Sequence, residues 1–129
     1  MKLTDLMIKD WVLWKNRYVQ VVRISGIVYS FGHIDTLLAH CNDVGDGIET
    51  HDISKISPIP LTTEILEKNG WWFDTEDTWR HDEVNFTIEK WNGRYQCYDV
   101  NQIKLDSVHE LQRALRCCGL WNLANNFKI

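Results

Sequence analysis

Two short stretches, residues 61–70 and 107–119, carry helix start and stop signals so complete that the rest of the chain must be arranged around them. In the first, Thr62 is a natural N-cap, because its hydroxyl can accept from an otherwise orphaned backbone N–H. Glu64 lies at the positive end of the helix dipole, and Glu64 and Lys68 are four apart in the favourable order. Leu61 and Leu66 occupy hydrophobic-staple positions, and Asn69-Gly70 supplies a left-handed stop. Two turns do not persist alone in water, so Ile65 and Leu66 must pack against something. In the second stretch Ser107 and Glu110 have capping-box spacing, predicting that each satisfies the other's backbone donor. Val108, Leu111, Leu115 and Cys118 form an apolar stripe, with Glu110, Arg113 and Arg116 mainly toward solvent. Gly119 ends this helix, and Leu120 can close a Schellman-type contact.

Between and before these helices the pattern is strand and turn. Residues 11–14 and 18–24 are β-rich, and Lys15-Asn16-Arg17 between them predicts a hairpin with a three-residue loop. Ser25-Gly26 reads as the next turn, with a third strand over 27–31 that Gly32 ends. Residues 36–41 are apolar and fit either helix or strand. Asp46-Gly47 is a turn signal, with a strand over 48–50. Short strands at this spacing predict a small SH3-like β-barrel for residues 1–58. Pro58 and Pro60 then push the chain into extended geometry. After the first helix, two aromatic runs (71–73 and 79–81) flank an acidic loop, and residues 84–89 alternate like a half-buried strand. Asn92-Gly93 is the strongest hairpin signal in the chain. It predicts a return strand over 94–100, with Ile88 facing Cys97, Phe86 facing Asp99 and Trp91 facing Arg94. Asn101-Gln102 turns the chain, and 103–105 adds a short strand. The expected fold is α+β: the N-terminal barrel (1–58) packed with a C-terminal antiparallel sheet and two short helices (59–129), as two halves or around one shared core.

Composition narrows the function classes. A chain of 129 residues that is 44% hydrophobic, with seven tryptophans, can bury a real core. Net charge is −4, and neither half has the basic excess of a general nucleic-acid binder. No apolar run is long enough to span a bilayer, and no stretch near the N-terminus has signal-peptide length, so a cytoplasmic protein without a membrane role is expected. Cys41, Cys97, Cys117 and Cys118 match neither a disulfide framework nor a zinc pattern; reduced, mostly buried thiols are expected.

Three blocks carry a resemblance. They are Lys2-Leu3-Thr4-Asp5-Leu6 with Asp10-Trp11-Val12; residues 59–70 followed by an aromatic pair; and residues 108–115 with Cys118-Gly119. Together they resemble a group of short bacterial proteins found in gut anaerobes, their prophages and mobile elements. The resemblance implies a small accessory protein, and no activity, cofactor or mechanism comes with it. Residues 26–55 and 72–105 are more individual, and the tryptophan density departs from the group.

Four constellations are candidates for function. The aromatic and basic hairpin (Trp11, Trp14, Lys15, Arg17, Tyr18, Arg23) could stack on a partner and neutralise its charge. Strand neighbours face opposite sides, so one of Trp11 and Trp14 points away from the core. The acidic residues Asp74, Glu76, Asp77, Asp82 and Glu83 could hold a hard cation, but they lack EF-hand spacing and read better as a solvated hairpin tip. Asp43, Asp46 and Glu49 read as turn chemistry. In the set His33, His40, Cys41, His51, Cys97 and His109, only His40-Cys41 is close, which is poor zinc spacing. The remaining tryptophans, Trp71, Trp72, Trp79, Trp91 and Trp121, include interface candidates, above all Trp91 opposite Arg94, a potential cation–π pair. The expected function is non-catalytic and needs no cofactor or metal: an adaptor binding another protein through Trp14, Arg17 and Tyr18, with Trp91 and Arg94 as a second surface. Homodimerisation would use the same kind of surface. A nucleic-acid-binding barrel and a small metal-dependent hydrolase are the alternatives.

Overall fold

The computed structural model describes residues 6–28, 34–43, 47–52, 56–75, 77–97 and 103–129, those between 22 and 52 by backbone alone. The chain forms two compact units, Met1–Ile59 and Pro60–Ile129. Both are built on four-stranded antiparallel sheets, so the class is α+β.

In the first unit β1 (Trp11–Trp14), β2 (Arg17–Val28), β3 (Ile34–Asp43) and β4 (Gly47–Asp52) form a meander in chain order. The β1–β2 loop has two residues, not three: Lys15 (φ 46°) and Asn16 (φ 62°) are both left-handed, and Trp14 pairs directly with Arg17. Two left-handed residues twist a turn in the same sense as its flanking strands, so Arg17 is free to join the ladder. The turn expected at Ser25-Gly26 is absent. β2 runs through it, pairing Ser25 with Leu38 and Gly26 with Leu37. The strand irregularities lie elsewhere, with an extra residue in β2 between Val21 and Arg23 and one in β3 between Ile34 and Thr36. Residues 36–41 are strand, and β4 extends the predicted 48–50 at both ends. The predicted residues 29–31, Gly32 and Asp46 lie outside the described residues. Ser57 returns beside β1 and exchanges both backbone hydrogen bonds with Leu13, each 2.8 Å. Among the described residues the sheet does not close into a barrel. Its core is Leu6, Val12, Val19, Val21 and Ile56, with Trp14 packed against it.

The second unit opens with α1 (Thr63–Lys68), capped by the Thr62 hydroxyl, which accepts from Ile65 N–H at 3.3 Å. Leu61 and Leu66 are both buried, as staple positions require, and Ile65 is buried beside them. Burying side chains of this size contributes about 1.5–3 kcal/mol each, which holds a helix of this length in place. The sheet order is β5 (Trp71–Phe73), β6 (Thr78–His81), β7 (Ile88–Trp91) and β8 (Arg94–Cys97). The Asn92-Gly93 turn sets the predicted register: Ile88 faces Cys97 and Trp91 faces Arg94. Residues 84–87 are not strand. Phe86 and Thr87 are nevertheless buried, and Phe86 C=O accepts the Trp71 indole N–H at 3.2 Å. A buried carbonyl satisfied by a side chain needs no ladder partner. Asp99, Val100, Asn101 and Gln102 lie outside the described residues. Residues 103–105 do line β8: Cys97 N–H donates to Ile103 C=O and Leu105 N–H to Tyr95 C=O, each 2.8 Å.

The second predicted helix is α2 (Val108–Cys117). Its C-terminus is a complete Schellman motif, with Gly119 N–H on Arg116 C=O at 3.0 Å and Leu120 N–H on Leu115 C=O at 2.8 Å. Its N-terminus corrects the expected capping box. Ser107 makes no side-chain cap; its hydroxyl donates to Glu110 Oε1 at 2.7 Å and lies 3.1 Å from His109 Nδ1. A hydroxyl bonded to a carboxylate is stronger than one accepting from an amide, so the carboxylate wins the contest for Ser107. Arg116 is buried rather than solvent-facing, and Cys117 and Cys118 are exposed rather than buried. The burial of Arg116 follows from a third helix that the sequence does not predict, α3 (Trp121–Asn125). It packs on α2 and draws in Gln112, whose amide donates to Ala124 C=O at 3.0 Å, and Arg116, which donates to Asn125 Oδ1 at 3.3 Å.

Candidate functional site

The β1–β2 hairpin tip gathers most of its predicted residues but divides them between faces. Trp14 and Arg17 are a cross-strand pair, and the Arg17 guanidinium lies 4.7 Å from the Trp14 ring centre, with the Lys15 ammonium at 4.9 Å. Trp14 shares its face with Val12 and packs on the core, so it is the inward tryptophan, and Trp11 lies on the opposite face. Tyr18 pairs with Leu13 on that opposite face and is 49% exposed. The tip therefore presents a cation-flanked indole on one side and a phenol on the other. Arg23 belongs to the backbone-only stretch of β2, several residues from the tip.

The second candidate lies on the β7–β8 hairpin. Trp91 is 62% exposed, and Arg94 is exposed across from it. The ring beneath a cation in this hairpin is Tyr95, 5.5 Å from the Lys90 ammonium. Burial, and secondarily the negative charge of Glu64, push the Tyr95 phenol above its ordinary range. By strand alternation Trp72, Arg80, Trp91 and Arg94 share one face of the sheet, and all four are exposed.

The acidic loop is tied up locally. Asp74 pairs with Arg80, and its carboxyl is held below the usual range first by the Thr75 backbone N–H and then by Arg80. Asp82 accepts the Trp72 indole N–H at 2.9 Å. Glu76 and His33 lie outside the described residues. Among the described residues no three His, Cys, Asp or Glu side chains converge on a point that could hold a metal ion. The Ser107, His109 and Glu110 cluster contains the residue types of a nucleophilic triad in the wrong order. Ser107 sits between base and acid, is 2% exposed, and directs its proton at the carboxylate. The buried Cys97 thiol lies on the apolar face of the sheet.

One site escaped the sequence reading. In the second unit, the end of α1, the end of β6 and the α2–α3 corner surround an open cleft of about 730 Å³. Its walls are pinned by two tightly bonded side chains. Asn69 donates to Ile65 C=O and Lys128 C=O, each at 2.8 Å, and accepts Lys128 N–H at 2.7 Å, fastening the C-terminal strap to α1. His81 accepts the Glu83 N–H on Nδ1 at 3.1 Å, so its own proton sits on Nε2 and donates to Asn69 C=O at 2.9 Å. Trp121 lines the cleft and is 49% exposed, with the buried Arg116 guanidinium 5.9 Å from its ring centre. Asn69-Gly70 signals only a helix stop, and 59 positions separate Asn69 from Lys128, a distance no local pattern spans. Among the described residues no helix is long and apolar enough to cross a membrane. No protein-family model, curated protein or solved structure matches this chain.

Proposed function

We propose that this chain is a non-catalytic accessory or adaptor protein that binds another protein through the β1–β2 hairpin tip. The observation that supports this reading is Trp14 under two cations on one face of a two-residue turn, with exposed Tyr18 on the other face. Trp, Tyr and Arg are the side chains that dominate binding energy at interfaces, and stacking the cations on the indole holds them in place before a partner arrives. Exposed Trp91 and Arg94, paired across β7 and β8, are the second surface. The finer barrel reading of the first unit is part of this proposal. Its support is the double hydrogen bond of Ser57 on β1 and the interrupted register of β2, both of which bend a meander toward closure. A mobile-element setting enters only through the resemblance of the three sequence blocks.

The test is an affinity pull-down from native lysate, scored for protein and for nucleic acid, with Arg17→Ala/Tyr18→Ala beside the parent. These two residues lie outside the hydrophobic core, so the variant keeps its fold. A protein recovered by the parent and lost with the variant, then re-bound in purified form, supports the adaptor. Nuclease-sensitive recovery with steep salt dependence favours a nucleic-acid barrel instead. Equal recovery by parent and variant removes the hairpin from the proposal.

A further inference from the structure

We infer that the cleft of the second unit is a carbohydrate-binding site, with Trp121 as its stacking platform. The volume of about 730 Å³ falls within the range of small-molecule sites. The indole is half exposed, and its N–H makes no hydrogen bond within the described chain. Arg116 holds one ring face from behind through its bonds to Asn125, which leaves the other face for a ligand. Around this platform stand Lys68, Lys128, Asp82, Glu83 and Asn122, all exposed and all on the cleft wall. The side chains of Lys68, Lys128, Glu83 and Asn122 are committed to no partner in the described chain, and Asp82 spends only Oδ1, on Trp72.

Charge selects the ligand class. Two ammonium groups and two carboxylates ring the same opening, so the cleft carries no net formal charge. An anion would meet Asp82 and Glu83, and a cation would meet Lys68 and Lys128. A purely apolar ligand would leave these groups desolvated and unpaired. A neutral polyhydroxylated ring meets every condition. The apolar C–H face of a pyranose stacks on an indole, and its rim of hydroxyls both donates and accepts, which suits a mixed ring of Lys, Asn, Asp and Glu. The site is also preorganised, because the Asn69–Lys128 clamp and the His81 bonds fix its walls before any ligand binds. This inference stands on residues remote in sequence from the hairpin tip and does not depend on the adaptor reading.

The experiment follows the Trp121 indole N–H resonance of the full chain during NMR titration with maltotetraose, cellotetraose, xylotetraose and N-acetylchitotetraose. Each is taken to about 20 mM, well above a millimolar Kd. The expected result is saturable movement of the Trp121 indole and the Asn122 amide with at least one sugar. Trp121→Ala should then bind that sugar at least about tenfold more weakly, the worth of one stacking contact, while Trp121→Tyr retains binding. Trp91→Ala should leave it unchanged. The amide spectrum of each variant establishes that it is folded. No movement with any of the four sugars overturns the inference. So does binding that survives Trp121→Ala, or a response of the same resonances to inorganic phosphate or to a lysine-rich peptide in place of a sugar.

Discussion

Gly70→Ala should be among the most damaging single-methyl additions in this protein. Gly70 has φ +92°, a backbone region that costs an L-residue about 1–2 kcal/mol. A Cβ there would also stand 2.5 Å from His81 Nε2, so one of the two must move. The imidazole cannot swing away freely. It donates to Asn69 C=O, accepts from Glu83 N–H, and packs edge-on against Trp71 with ring centres 4.9 Å apart. Displacing it loses two hydrogen bonds worth about 1 kcal/mol each and part of an aromatic contact worth about 0.5–1.5 kcal/mol. The expected cost of Gly70→Ala is therefore about 3–5 kcal/mol. Gly119→Ala is the control: its φ is +79°, but nothing lies within 4 Å of an added Cβ, so strain alone remains, about 1–2 kcal/mol. The assay is urea unfolding followed by tryptophan fluorescence on Gly70→Ala, His81→Ala, the double variant and Gly119→Ala. Once His81 is absent the clash is gone, so the double variant should be more stable than additivity predicts by about 2–3 kcal/mol. Additive costs, or equal costs for Gly70→Ala and Gly119→Ala, would refute the claim that His81 is held against Gly70.

Other outcomes follow from the same contacts. Asn69→Ala should cost about 2–3 kcal/mol, because it strands the backbone of Lys128 and Ile65 C=O; hydrogen exchange should speed first at Lys128 N–H, and unchanged exchange there would count against the clamp. Asp74 titrates below its ordinary value, so its stabilising contribution is complete above the unfolded carboxylate range and lost as pH falls through the lowered folded value; Arg80→Ala should raise the carboxyl titration seen by NMR only in part, since the Thr75 N–H is the larger cause. Tyr95 titrates above its ordinary value, so stability should fall as pH rises past the normal phenol range, where the unfolded chain releases a proton that the folded chain keeps; phenolate absorbance in a pH titration checks it. Alkylation mapped by mass spectrometry should label exposed Cys117 and Cys118 in the native protein and Cys97 only on unfolding, and early labelling of Cys97 would contradict its burial.

Several local signals stand in the structure, and the misses arise both from long-range contacts and from competition between neighbouring side chains. The caps of α1 and the Schellman end of α2 are local patterns, as is the Asn92-Gly93 turn, and they stand where the residues place them. Ser25-Gly26 failed as a turn because ladder bonds to Leu37 and Leu38 override a glycine's weak local preference. Ser107 failed as a cap because His109 and Glu110 compete for its hydroxyl in a buried setting. Arg116 reads as surface on a helical wheel, yet α3 covers it and Asn125 and Trp121 supply its partners. Of the candidate surfaces, the pairing of Trp91 with Arg94 was legible from turn spacing, whereas that of Trp14 with Arg17 was not, because a three-residue loop would keep Arg17 out of the ladder. The separation of Tyr18 from Trp14 was legible in principle from strand alternation and emerged only with the two-residue turn.

The sequence by itself determined the α+β class and the positions of α1 and α2, because backbone propensity, capping and turn geometry act over a few residues. Only the tertiary structure decided which polar groups were left uncommitted around an exposed indole. A cleft forms where segments distant in the chain meet, as Asn69 meets Lys128. Its chemistry is set by which hydrogen bonds the fold has already used, and no short-range pattern records that.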